Sequence, residues 1–211
     1  MICTSNYENF GKAVCGYKTY SISGDKGKQE DFVGNTFSKL APKKSFWKVW
    51  KNNIGKISEE ENNKYYISQY FMHVLSNLDP EEIYNKLDFS ILLCYESSNE
   101  FCHRHIVAAW FELFLDVKVD EIVIENGNIV RICRPNYIKK HLEEVIKKHT
   151  NMKGFNSIRA LYIFEKANAL DSKADKLEES SNKCYDNYRQ TAAFLRSEAD
   201  YIESTYNSKI I

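Results

Sequence analysis

A chain of 211 residues, 43% of them hydrophobic, can bury one sizeable core and a smaller appendage. Its 29 basic and 29 acidic residues cancel, so no global field steers the whole chain to nucleic acid or an anionic membrane. The first residues lack a basic stretch before a long apolar run, and no run of about 18 apolar residues occurs. Six scattered cysteines without the close spacing of a disulfide scaffold complete the expectation of a soluble, cytoplasmic protein with reduced thiols.

In chain order, Ile2 to Thr4 reads as a short strand and Ala13 to Ser23, rich in Val, Tyr, Thr and Ile, as a second. Gly24-Asp25-Lys26-Gly27 breaks the pattern, and residues 24 to 38 read as a mobile loop. A short helix is predicted over 45 to 55 and a longer one from Ser58 through Leu78. Asp79-Pro80-Glu81-Glu82 then has the residues of a helix start: a cap, a proline in the first turn and acids favoured by the dipole. Phe89 to Tyr95 is a nearly unbroken apolar run of strand length, expected to be a buried parallel strand.

Ser97-Ser98-Asn99-Glu100 offers several caps, a Ser97 to Glu100 capping box among them, which leaves the start open by a couple of residues, and the helix that follows has the stripe Ile106, Val107, Trp110, Phe111 and Phe114. At about 100° per residue that stripe turns His103 towards the strand ends and His105 towards solvent. Two β-prone runs around Asn126-Gly127 predict a hairpin, and Asn136 to His149 a helix. Phe155 to Leu170 and Ser172 to Tyr206 read as a helical hairpin that packs on itself, on the body or on a second copy, making a homodimer through these helices an expectation. The predicted class is α/β, a predominantly parallel sheet flanked by helices, with residues 1–150 as the body and 151–211 as a C-terminal helical extension.

Reactive side chains collect where the apolar strand hands over to the next helix: Cys94, Glu96, Cys102, His103 and Arg104. A thiol in a first helical turn beside Arg104 is lowered in pKa, so Cys102 suits a nucleophile, or else a small buried packing residue. Cys94 and Cys102 can also approach as a reversible redox pair. Glu96, on the rim after the strand, suits a general acid or base, or an ion pair with Arg104 or His103. His103 reads as a proton carrier or as a hydrogen-bonded histidine at the core edge. No metal or other cofactor is expected, because Cys-x7-Cys-His-x-His lacks paired zinc spacings and adjacent Cys102 and His103 are awkward ligands for one ion.

Thr4, Ser5, Ser21 and Ser23, with Arg104, would suit a small anionic ligand such as a nucleotide, although hydroxyl-rich loop caps are common without ligands. No Walker loop or G-x-G-x-x-G is present. Lys43 to Lys51 interleaves lysines with Phe46, Trp47 and Trp50, the composition of a nucleic-acid surface, but its aromatic spacing also fits an amphipathic helix with a solvated lysine face, and that is the favoured reading because lysine is mostly exposed anyway.

The chain resembles the DUF488 family of small bacterial and phage proteins in Thr4-Ser5-Asn6, Ser21-Ile22-Ser23, Leu40-Ala41-Pro42, Leu92-Leu93-Cys94-Tyr95-Glu96 and Glu100-Phe101-Cys102-His103-Arg104. The resemblance covers roughly residues 1 to 123. It implies an α/β body and a pocket built from those motifs, Asn6 and Cys94 included, without an established reaction. The functional expectation is a small enzyme that binds a nucleotide, nucleobase or nucleic-acid-derived anion, with Cys102, Glu96 and His103 as its catalytic set. A ligand-sensing or partner-binding module and a thiol redox switch are the alternatives.

Overall fold

The computed structural model describes residues 1–10, 17–152, 154–179 and 185–209, which fall into two compact units, Met1–Ile146 and Lys147–Ile211. The first unit holds a six-stranded sheet built from β1 (Ile2–Asn6), β2 (Lys18–Ser21), β3 (Asn35–Thr36), β4 (Ser90–Cys94), β5 (Asp120–Glu125) and β6 (Asn128–Ile132). The strand order is β3-β2-β4-β1-β5-β6, parallel throughout except for β6. The helices of this unit are α1 (Tyr7–Phe10), α2 (Lys44–Asn53), α3 (Glu59–His73), α4 (Pro80–Lys86), α5 (His103–Leu115) and α6 (Asn136–His149), the last running into the second unit.

Strands β1 and β4 are buried along their whole length. That is why β4 reads as an unbroken apolar run: a parallel strand covered on both faces has no polar side to show. Phe89 lies outside it, exposed and at φ 55°. From β1 the chain crosses β4 to reach β2, and from β4 it crosses β1 in the other direction to reach β5. The C-terminal ends of β1 and β4, with Asn6 beside Cys94, are therefore the point where the connections diverge and where α/β proteins hold their ligands.

Segment 24–38 folds around Asp25, whose carboxylate accepts from Ser23 Oγ (2.8 Å), from the Gly27 amide (3.1 Å) and from Tyr95 Oη (2.5 Å). Gly27 is required there: it sits at φ 77°, and a Cβ would come within 2.7 Å of the Phe32 Cβ. The segment also contributes the edge strand β3, paired with β2. Of the expected 13–23 strand, Lys18–Ser21 forms β2, with Tyr17, Ile22 and Ser23 outside it; residues 11–16, Cys15 among them, lie outside the described residues. The hairpin turns on Asn126 and Gly127, both at positive φ, the backbone a two-residue turn demands.

Two expectations are corrected. His105 is not solvated: it is 1% exposed, and every residue from His103 to Phe111 is buried. Helix α5 packs on β1 and β4 and also meets α3 and α4, so it has no polar face in its first turns. The break between the C-terminal helices does not lie near Asp171. Helix α7 (Ile158–Glu179) runs through Asp171 and Ser172, which lack the backbone restriction of Pro or the freedom of Gly, and α8 covers Tyr185–Ser208. The two helices pack on each other, with Ala174, Ala192 and Ala199 buried and with Arg196 paired to Asp171 and Arg189 to Asp175 across them. Ser181 and Cys184 lie outside the described residues.

Candidate functional site

Cys94 is the last residue of β4, Glu96 follows two residues later, Cys102 is the N-cap of α5 and His103 its first residue. The Ser97–Glu100 segment forms a turn of its own, with the Ser97 amide donating to Glu100 Oε2 at 2.8 Å. The helix starts later than the capping box suggests, and no side chain caps it at Cys102. Cys102 is extended, at φ −145° and ψ 146°. That conformation lets its side chain and that of His103 approach one point, which two neighbours inside a regular helix, about 100° apart, do poorly.

The His103 ring lies with Nε2 3.0 Å from the Ile22 carbonyl oxygen. A carbonyl only accepts, so Nε2 carries a proton and donates it. The other nitrogen, Nδ1, faces two thiols, Cys94 Sγ at 3.4 Å and Cys102 Sγ at 4.0 Å. Cys94 Sγ also lies 3.5 Å from Glu96 Oε2, so its single thiol proton is shared between the Glu96 carboxylate and the Cys102 sulfur. Both cysteines are free and 2% exposed. Glu96 is half-buried and reaches the surface.

These groups set one another's ionisation. Burial pushes the Cys94 thiol well up, with the neighbouring Cys102 adding to the effect. Burial opposes ionisation of Cys102 too, yet the Cys94 hydrogen bond, the Arg104 charge and His103 together hold it well below the ordinary thiol range. For His103, burial works against the charged ring, but the bond to Cys102, the Cys102 charge and Glu96 raise it. Burial first and the Cys102 charge second lift Glu96 to about 7. These directions agree on a Cys102 that ionises before Cys94, beside a His103 that holds its proton more tightly than a free imidazole, and on a Glu96 that gains or loses its proton near neutrality.

Arg104, fully buried, is spent inside the chain: Nε donates to Glu121 Oε1 (3.0 Å), Nη1 to the Glu96 carbonyl (2.8 Å) and Nη2 to the Ser97 carbonyl (3.0 Å). It latches the turn that carries Glu96. Sequence reasoning missed Glu121, although an acid flanking the apolar Ile122-Val123-Ile124 run was the available signal. Its other oxygen accepts from Thr4 Oγ1 at 2.5 Å, and His105 Nε2 lies 3.5 Å from Oε1.

The hydroxyl-bearing residues divide. Ser5 Oγ donates to the Ile122 carbonyl (2.6 Å), and Asn6 Oδ1 accepts from the Asn9 amide (3.1 Å), so with Thr4 they tie β1 to its surroundings. Ser21 and Ser23 form a triangle with Tyr7 Oη, at 2.6, 2.9 and 3.1 Å, that runs on to Asp25. Burial raises Tyr7 to about 12, so it stays a neutral member of that network. The structure thus brings Cys94, Glu96, Cys102 and His103 into one cluster and places Thr4, Ser5, Asn6, Ser21, Ser23 and Arg104 in the hydrogen-bonded frame around it. An aromatic wall closes the cluster: Tyr70 stands 5.6 Å from the His103 ring, and Phe101 packs on Tyr66 (5.3 Å) and Trp50 (5.8 Å).

The same geometry can hold a metal ion. Cys94 Sγ, Cys102 Sγ and His103 Nδ1 lie within 4.8 Å of one another. Ligand bonds of roughly 2.3 Å to sulfur and 2.1 Å to nitrogen put the S···N edge of a zinc tetrahedron at about 3.6 Å, between the 3.4 and 4.0 Å found here. The Nε2–H bond to Ile22 is the outer-shell partner such a histidine needs. Comparison with protein-family models, with curated proteins and with solved structures returned no match.

Proposed function

We propose that the chain is a small DUF488-like enzyme acting on a nucleotide, nucleobase or other nucleic-acid-derived anion, with Cys102 as its nucleophile. The observation that carries this reading is the convergence of Cys102, His103 and Glu96 at the divergence of β1 and β4. Cys102, at an uncapped helix N-terminus, attacks as the thiolate; His103, held by Ile22, is its counter-ion; Glu96 carries the proton to or from the leaving group. The test is incubation with a panel of nucleosides, nucleotides and short oligonucleotides, read by mass spectrometry for product and for mass added at Cys102. Turnover that is lost in Cys102→Ser and reduced in Glu96→Gln supports the reading; turnover that survives in Cys102→Ser contradicts it.

A second reading, favoured by the tetrahedral-edge spacing of the two thiols and Nδ1, makes the cluster a zinc centre. Zinc would supply Lewis acidity, and Glu96 would still be the residue that moves protons. Metal analysis of the purified protein separates the two: one zinc per chain, lost in Cys94→Ser, favours this reading, and metal-free protein with a reactive Cys102 favours the first.

A further inference from the structure

Between Ser38 and Ser58 there are six lysines and no acid, in a chain whose charges otherwise cancel, so the remainder is net acidic. Helix α2 lies in the middle of this segment. Phe46 is its buried anchor, packed on Tyr66 at 5.2 Å, and Trp50, half-buried, donates its indole N–H to Asn63 Oδ1 at 3.0 Å. Opposite that core-facing side, at steps of four and three, stand Lys44, Lys48 and Lys51, all exposed, with the 40% exposed Trp47 on the same face. None of the three lysines pairs with a carboxylate among the described residues; Lys51 Nζ instead lies over Trp47 (5.7 Å) and Trp50 (5.2 Å).

Like charges at this spacing repel and weaken a helix, and here no acid relieves them. A bound polyanion would. Lys44 to Lys51 spans about 10 Å of helix, the reach of a few backbone phosphates. The exposed indole adds what a simple lysine patch lacks, a flat surface on which an unpaired base can stack. The strand would also lie near the cluster: the Trp50 ring of this helix is 5.8 Å from Phe101, the residue before Cys102.

We propose that the Lys44, Trp47, Lys48 and Lys51 face of α2 binds single-stranded nucleic acid, its lysines neutralising phosphates and Trp47 stacking a base. The proposal rests on the enzyme reading only for the placing of the strand near Cys102; the binding itself is argued from α2.

The experiment is fluorescence anisotropy of labelled dT20 and U20 with the full-length protein over a range of salt. Binding should weaken with salt at a log–log slope of about −2, as expected for roughly three neutralised phosphates of a single strand. The Lys44→Glu/Lys48→Glu/Lys51→Glu variant, shown folded by circular dichroism, should lose at least about tenfold and most of that slope. Trp47→Ala should lose at least about fivefold and keep the slope. Tighter binding of dT20 would assign the surface to DNA, and tighter binding of U20 to RNA. No binding at low salt, unchanged binding by the triple variant, or indifference to both Trp47→Ala and replacement of the oligonucleotide by polyglutamate would overturn the proposal. Alkylation of Cys102, followed separately, keeps the two claims apart. A reactive thiol without oligonucleotide binding sinks only this proposal, and binding with an inert thiol sinks only the enzyme reading.

Discussion

His103 Nε2 donates to the carbonyl of Ile22 across 3.0 Å, and this one bond fixes which face of the imidazole meets the two thiols. It joins the end of β2 to the first residue of α5, so the orientation of the ring is set by the sheet. With Nε2 engaged, Nδ1 serves as hydrogen-bond partner, counter-ion or ligand to Cys94 and Cys102.

His103→Asn should therefore remove the imidazole 4.0 Å from Cys102 Sγ while Arg104 stays in place. Its thiol should titrate higher, and the alkylation rate of metal-free protein at pH 7 should fall by about tenfold for each unit by which its pKa rises beyond 7. An unchanged rate would mean that the helix terminus and Arg104 suffice.

Glu96 should leave a signature in the pH dependence of stability. Its carboxyl is raised from the ordinary range to about 7, so the folded state holds its proton more tightly than the unfolded chain does. The resulting stability is fully present below the unfolded value near 4.5 and is lost as pH rises through about 7. The loss should amount to about 2–3 kcal/mol, measured by urea unfolding of metal-free protein between pH 4.5 and 8. Glu96→Gln has no proton to lose and should flatten that part of the curve; an unchanged profile would show that Glu96 ionises normally.

The Arg104–Glu121 pair has both side chains fully buried, with a contact of 2.9 Å. Removing one partner strands the other charge, so Arg104→Met or Glu121→Gln should cost about 3–5 kcal/mol in urea unfolding. The double variant Arg104→Met/Glu121→Leu should recover much of that loss, because a buried pair replaced by apolar groups is often neutral. A double variant as unstable as the sum of the singles would show that the guanidinium matters mainly through its bonds to the Glu96 and Ser97 carbonyls.

The parts of this fold that follow local rules were readable in the chain. The β4 run, the Asn126-Gly127 hairpin, the Asp79 cap with Pro80, and the Cys94-to-His103 concentration all depend on neighbours in sequence. What was not readable depends on register across the sheet. Glu121 meets Thr4 because β5 pairs beside β1, a relation across 117 positions that no local pattern encodes. His105 was expected in solvent because amphipathicity assumes one wet face, and α5 has none in its first turns. The tie between His103 and Ile22 needed β2 and β4 side by side, and the hydroxyl triangle of Tyr7, Ser21 and Ser23 needed α1 packed on β1 and β4, from where Tyr7 Oη reaches the end of β2.

The central claim is an ionised Cys102 at neutral pH, and the rate of its alkylation by iodoacetamide as a function of pH, with the site mapped by peptide mass spectrometry, tests it most directly. In metal-free protein the account predicts modification of Cys102 ahead of Cys94, with its half-maximal rate at a pH well below that of an ordinary thiol. A half-maximal rate at about pH 8.5, or a Cys102 that reacts only after unfolding, would contradict it.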